Sequence, residues 1–359
     1  MHQKLLIMLC CLLLAGCERA PEAQRQMDNY LERLGRVLDH NWTPYDIRQL
    51  SHYRMPERRE RMLDIPELRL GMLDLVVESR RCQTLQQRVG ERNSSLGRVM
   101  PWSHRFAHDG ALLTAIDQCL AVIADDPSRE DLRKQLLEIA KGKRDALPAT
   151  FWNALNATPE FEYYLRFADR PLPVSELPLQ DRDAVAAMQA LANIGVGLPE
   201  QLPPDRPELE SLFQALQRSD RGSQLINSLA QLTHTLEQAT AMLDSPAAAK
   251  LCPLQRPTPR ARILQNVFVT FYAGEIQPYI AQVQRLGQPW QQALRHLSAV
   301  QHIPSATETY LNSLAAEDDS LWQRYQRSLN AHSKAWQAVL ASCQLQPGQP
   351  GWDKLANEN

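Results

Sequence analysis

The sequence predicts an all-α protein of two helical lobes, without internal repeats and stapled by disulfides. Three observations carry that expectation. Leu, Ala, Gln, Arg and Glu dominate, while glycine numbers only 14 of 359 residues, a composition that favours helix. Apolar residues recur at spacings of three and four through most of the chain, the period of a helix with one buried face. Two proline-rich interruptions divide the helical runs into groups.

The first helix opens near Pro21, with Met27, Tyr30, Leu31, Leu34, Val37 and Leu38 as its apolar stripe. Helix is next expected over 66–89, where Pro66 suits a first turn. The stretch "HDGALLTAIDQCLAVIA" reads as an apolar helix ending near Asp125. "DPSREDLRKQLLEIAKGKRDAL" takes Asp126 or Ser128 as its cap and closes on basic residues, as the helix dipole favours. "DRPLPVSELP", at 169–178, is too rich in proline for regular helix. "GVGLPEQLPPDRPE", at 195–208, holds four prolines and two glycines. It marks the boundary between an N-terminal lobe, 17–195, and a C-terminal lobe, 208–345, with 196–207 as the connection. Helices are then expected over 207–219 and 223–243. Beyond "CPLQRPTP" a long helix runs from 260 toward 286 with a kink at Pro278, and its Phe268, Phe271, Tyr272 and Tyr279 read as core. "PWQQALRHLSAV" and "SLWQRYQRSLNAHSKAWQAVLASC" complete the set, and the polar tail 346–359 is expected to fray. No fixed-period similarity occurs, which argues against a solenoid.

Residues 5–15 are eleven apolar positions behind Lys4. A bilayer core needs about 20, so this run is too short to span and fits the apolar region of a secretory signal. "LAGC", residues 14–17, resembles the lipobox of bacterial lipoproteins at all four positions. The resemblance implies that residues 1–16 are a signal peptide and that Cys17 is the lipid attachment point. Its thiol would be diacylated and its new amino group acylated, with palmitate the expected kind of chain. One acyl chain binds a membrane only marginally, and two or three hold it firmly. Glu18 stands where an Asp would retain such a protein in the inner membrane, which implies the outer membrane, facing the periplasm.

Cleavage would leave 343 residues with a formal charge of −3. That balance offers no footing for nucleic acid. Four cysteines remain: Cys82, Cys119, Cys252 and Cys343. An even number in an oxidising compartment suggests two disulfides, in any of three connectivities. The nearest-neighbour pairing, Cys82 with Cys119 and Cys252 with Cys343, is preferred because it staples each half separately. No CxxC occurs, so neither thiol chemistry nor a zinc knuckle is indicated.

The polar segment "ERNSSLGRVMPWSHRFAHDG" gathers Glu91, Arg92, Asn93, Ser94, His104 and His108 between two helices. Polar residues in a connection are functional more often than those on a helix face. As a hydrolase site it would use Ser94 or Ser95 as nucleophile with His104 or His108 as base, but no GxSxG elbow or orienting acid accompanies them. Asn93 or Ser94 equally explains itself as a helix cap. His104 and His108 lie four apart and could share a metal, yet no third ligand sits at a compelling spacing and HExxH is absent. No catalytic residue, metal or cofactor is therefore assigned. Residues 45–105 hold twelve Arg, no Lys and eight acidic residues. The densest part is "YRMPERRERM", with Arg54, Arg58, Arg59 and Arg61. Guanidinium forks suit lipid headgroups, cell-wall carboxylates or an acidic protein face. Arg outnumbers Lys by 32 to 7 in the whole chain, so the surplus also reads as compositional bias.

"ERNSSLGRVM", flanked by Cys82 and Cys119, and "CPLQRPTPRARILQNVFVTFYAGEIQPYI" together resemble a family of uncharacterised gammaproteobacterial lipoproteins, known only as a domain of unknown function. The resemblance spans nearly all of the chain after residue 16. It implies a helical envelope protein and brings no activity. The expectation is a membrane-anchored, non-enzymatic binding or scaffold module facing the periplasm, with an envelope protein or an anionic cell-wall or lipid component as partner. A hydrolase acting through 91–109 and a carrier of an apolar ligand are the alternatives.

Overall fold

The computed structural model describes residues 20–65, 81–175, 179–349 and 352. All regular secondary structure among them is helical, with no strand. Cys17 and the first part of the helix expected over 66–89 lie outside the described residues.

The stripe expected on the first helix is the buried one. Helix α1 (Glu22–Leu38) hides Met27, Tyr30, Leu31, Leu34, Val37 and Leu38. Two 3-10 turns, Ile47–Tyr53 and Arg58–Arg61, precede α2 (Gln83–Asn93). Helix α3 (Trp102–Val122) follows a single turn at Ser95–Arg98. The run that begins at Asp126 does not stop at its basic residues. Asp126 caps a 3-10 turn by accepting the Ser128 N–H at 3.1 Å. Helix α4 (Glu130–Ala157) then continues straight through Pro148. A proline inside a helix costs about 3 kcal/mol, whereas burying Phe151, Trp152 and Leu155 contributes about 1.5–3 kcal/mol each. Tertiary burial wins over the local signal.

Helices α5 (Pro159–Leu165), α6 (Arg182–Val196), α7 (Arg206–Gln217) and α8 (Arg221–Leu243) come next. The long helix is longer than expected. Helix α9 (Pro259–Val267), a π-helical segment (Phe268–Ile276) and α10 (Gln277–Ser298) run on without a break. "PWQQALRHLSAV" is thus the end of this helix and not a separate one. Helices α11 (Ser305–Ala315) and α12 (Leu321–Ser342) close the described chain.

Helix α3 packs along α4, α8 along α12, and α10 along α6. Helix α1 crosses to the far side of the 195–208 segment and packs on α8, α9 and the π-helical segment. The buried apolar side chains on both sides of that segment form one continuous cluster. The two halves of the chain therefore share a core. Polar side chains near the end of α4 tie down the segment before residue 65. The Asn153 amide exchanges two hydrogen bonds with the Leu63 backbone, both 2.8 Å, and Asn156 donates to the Arg61 carbonyl at 2.8 Å.

Two disulfides close the structure: Cys82–Cys119 and Cys252–Cys343, separated by 37 and 91 residues. This is the nearest-neighbour pairing. On the loop-entropy relation these closures contribute about 4 and about 4.6 kcal/mol respectively. Replacing both Cys252 and Cys343 by Ser should therefore lower the unfolding free energy by about 4–5 kcal/mol in urea titrations. The matching change at Cys82 and Cys119 should cost slightly less.

Candidate functional site

The π-helical segment departs from α-helical geometry, and it borders a cleft. Its last turn ends just before Pro278, with the Gln277 N–H bonded to the Tyr272 carbonyl, five residues back. A helical proline clashes with the carbonyl four residues earlier, and a widened turn relieves that clash. Such segments recur at functional sites. The widened turn ends two residues before Pro278, where the kink was expected.

The segment and α12 enclose a cleft of 450 Å³. Phe268, Tyr272, Trp336 and Leu340 supply its apolar wall. Gln277, Ser333, Gln337 and Gln346 supply amides and a hydroxyl, and Pro347 completes the lining. The polar tail turns back here: the Gln349 and Trp352 N–H groups bond to the Gln346 and Gln349 carbonyls, and Trp352 meets Phe268 edge-on at 6.2 Å. No side chain in the lining carries a charge at neutral pH. Burial pushes the Tyr272 pKa above the ordinary value, and Ser333 and Gln277 beside it act in the opposite direction.

Beneath the cleft lies a buried polar chain. Trp336 Nε1 donates to the Tyr30 hydroxyl at 2.9 Å, with His332 Nε2 also within 3.0 Å. The Tyr30 hydroxyl lies 2.8 Å from His332 Nε2. His332 Nδ1 lies 3.2 Å from the Thr240 hydroxyl, whose own hydrogen is given to the Leu236 carbonyl. Thr240 can thus only accept from the ring, so Nδ1 carries the proton and Nε2 accepts from Tyr30. Donors run one way, from Trp336 through Tyr30 and His332 to Thr240. Burial pushes the His332 pKa down to about 3, which keeps the ring neutral and aligned. It sits edge-on to Tyr272 at 4.8 Å.

The segment singled out in the sequence is built differently. The Ser94 hydroxyl accepts from the Gly97 N–H at 2.9 Å and donates to the Glu91 carbonyl at 2.7 Å. It is a cap for the Ser95–Arg98 turn. Arg92 donates to the Gly97 carbonyl, and Asn93 ends α2. Gly97 is required there, because a Cβ would lie 2.2 Å from the Glu91 carbonyl oxygen. Glu91 accepts from Arg88 at 2.8 Å and Gln87 at 3.0 Å. His108 Nε2 donates to the Arg88 carbonyl at 2.9 Å, and burial lowers its pKa. His104 instead reaches Glu210 on α7 at 3.1 Å. The two histidines are therefore committed to different helices. Among the described residues no group of three or more His, Cys, Asp or Glu side chains could hold a metal. Asp109, beside His108, forms a buried ion pair with Lys143 at 2.8 Å.

Sequence reasoning placed Tyr30 and Tyr272 in the core and passed over His332, Trp336 and Thr240. The usable signal was His332 and Trp336 standing four apart in α12, on one face of a helix.

Residues 27–347 match a family described as a protein of unknown function, DUF3080. The chain belongs to that family. The match spans both disulfides, the cleft and the buried chain beneath it, so these are features of a DUF3080 domain rather than of an appendage. Searches of curated proteins and of solved structures gave no match.

His332 makes stability depend on pH. Its folded pKa is depressed below the ordinary 6.5, so its contribution is complete above about pH 6.5 and lost as pH falls toward 3, where the unfolded chain takes up a proton that the folded chain refuses. The unfolding free energy should be about 2 kcal/mol lower at about pH 5 than at about pH 7. Urea titrations of a His332→Gln variant should show that difference shrinking by the same amount.

Proposed function

We propose that this protein is a lipid-anchored binding protein of the bacterial envelope, held through Cys17 at the outer membrane and facing the periplasm. In this reading it is of the gammaproteobacterial kind and takes up an uncharged amphiphilic envelope component in the cleft between the π-helical segment and α12. The observation that carries the binding reading is the lining of that cleft. Aromatic and aliphatic side chains stand beside neutral amides and hydroxyls, and the ring beneath them is locked as neutral imidazole. Such a surface recognises shape and hydrogen-bonding groups. It supplies no charge for proton transfer near neutral pH.

The anchor rests on the pattern "LAGC" at 14–17. Two disulfides fit an oxidising compartment. No helix among the described residues is long and apolar enough to cross a membrane, so attachment in this reading falls to the acyl chains. The 91–109 segment supports capping and helix-to-helix contacts.

Two measurements test the proposal. Labelled palmitate should enter the wild-type protein in bacterial cells and fail to enter Cys17→Ser; continued labelling would remove the anchor. Native mass spectrometry of protein extracted without detergent should show a bound neutral small molecule. That species should fall at least about tenfold in Gln337→Glu, which buries a charge against the ligand, and persist in Ser94→Ala. A bound species indifferent to Gln337→Glu would place the binding elsewhere.

A further inference from the structure

The arginine-rich stretch is not one docking face. Arg61 is turned inward and only 1% exposed. Its Nε donates to the Pro56 carbonyl at 2.8 Å, Nη1 to the Asn156 carbonyl at 3.3 Å and Nη2 to Glu162 at 2.8 Å. This clamp seats the Arg58–Arg61 turn, which also contacts α4 and α11. It leaves Arg58 in the wall of a second cleft, 660 Å³ in volume. Arg166, Tyr163, Glu160 and Gln217 share that wall.

The charges of this second cleft are unusually uncommitted. Among the described residues neither Arg58 nor Arg166 pairs with a carboxylate; Arg166 lies over the Tyr163 ring at 5.6 Å. Glu162 is already engaged by Arg61. Glu160 is the remaining carboxylate of the lining and has no cationic partner among the described residues. Two guanidinium groups without a carboxylate partner and one carboxylate without a cationic partner therefore meet in one open volume. A bare polyanion would suit the arginines and be repelled by Glu160. A ligand with two carboxylates and one ammonium group would satisfy all three.

We propose that this cleft binds a short peptide whose carboxylates outnumber its ammonium groups, its carboxylates on Arg58 and Arg166 and its amine on Glu160. Tyr163 and Pro159 give the peptide an apolar flank. The site is separate from the neutral cleft and does not depend on it.

Calorimetric titration of the full chain with alanyl-glutamate, which carries two carboxylates and one amine, tests the proposal. Saturable binding is expected, and Arg58→Gln and Arg166→Gln should each weaken it by about tenfold or more. Acetylating the peptide amine should weaken it comparably. Glu160→Gln decides the class of ligand: it should weaken alanyl-glutamate while strengthening pyrophosphate or leaving it unchanged. Arg58 and Arg166 are exposed and Glu160 is half-buried, and thermal unfolding should confirm that the variants remain folded. Absence of saturable peptide binding overturns the proposal. So does a Glu160→Gln variant that binds both probes more tightly, which would mark a simple anion site.

Discussion

A one-way run of hydrogen bonds holds the two ends of this chain together. Trp336 and His332 come from α12, Tyr30 from α1 and Thr240 from α8, and every polar hydrogen among them has an acceptor. An unpaired polar group at that depth would cost about 1–3 kcal/mol. The four side chains are therefore all satisfied where they stand, and together they tie α1 to the C-terminal helices. The Cys252–Cys343 bridge then pins the end of α12. With α12 held at both levels, the wall that Trp336 and Leu340 offer the cleft is set by the fold.

The same logic governs the other buried polar groups. Arg61 is a charge in the interior, and it is tolerated because three acceptors surround its guanidinium. Asn153 and Asn156 use their amides as if they were backbone, giving an irregular segment the bonds that a strand would have provided. These devices let a non-helical stretch pass over a helical core without orphaned groups. They also decide which arginines face solvent and which do not.

Chemistry and position were separable in the 91–109 segment. It holds the residue types of a hydrolytic site, but Ser94 spends its hydroxyl within one turn and the two histidines reach different helices. The neutral cleft shows the converse. Phe268 and Tyr272 read as core in the sequence, and Tyr272 stays only 2% exposed while it borders the cleft. Phe268 is the clearest case: half-buried, it belongs both to the core and to the cleft.

The helical class was legible because the apolar period and the scarcity of glycine are local properties, and the stripe on α1 was read residue for residue. The cysteine pairing was preferred because it staples each half of the chain separately and is the one observed, though three connectivities were open. Local signals failed where long-range burial outweighed them, as in the passage of α4 through Pro148. They also could not tell Arg61 from Arg58, since both stand in one basic run. By itself the sequence determined the helical class, an even set of four cysteines beyond residue 17 and the short apolar run at 5–15. Only the tertiary structure decided which polar side chains meet, because His332 and Tyr30 are 302 residues apart and no pattern of neighbours along the chain encodes a contact made across the core.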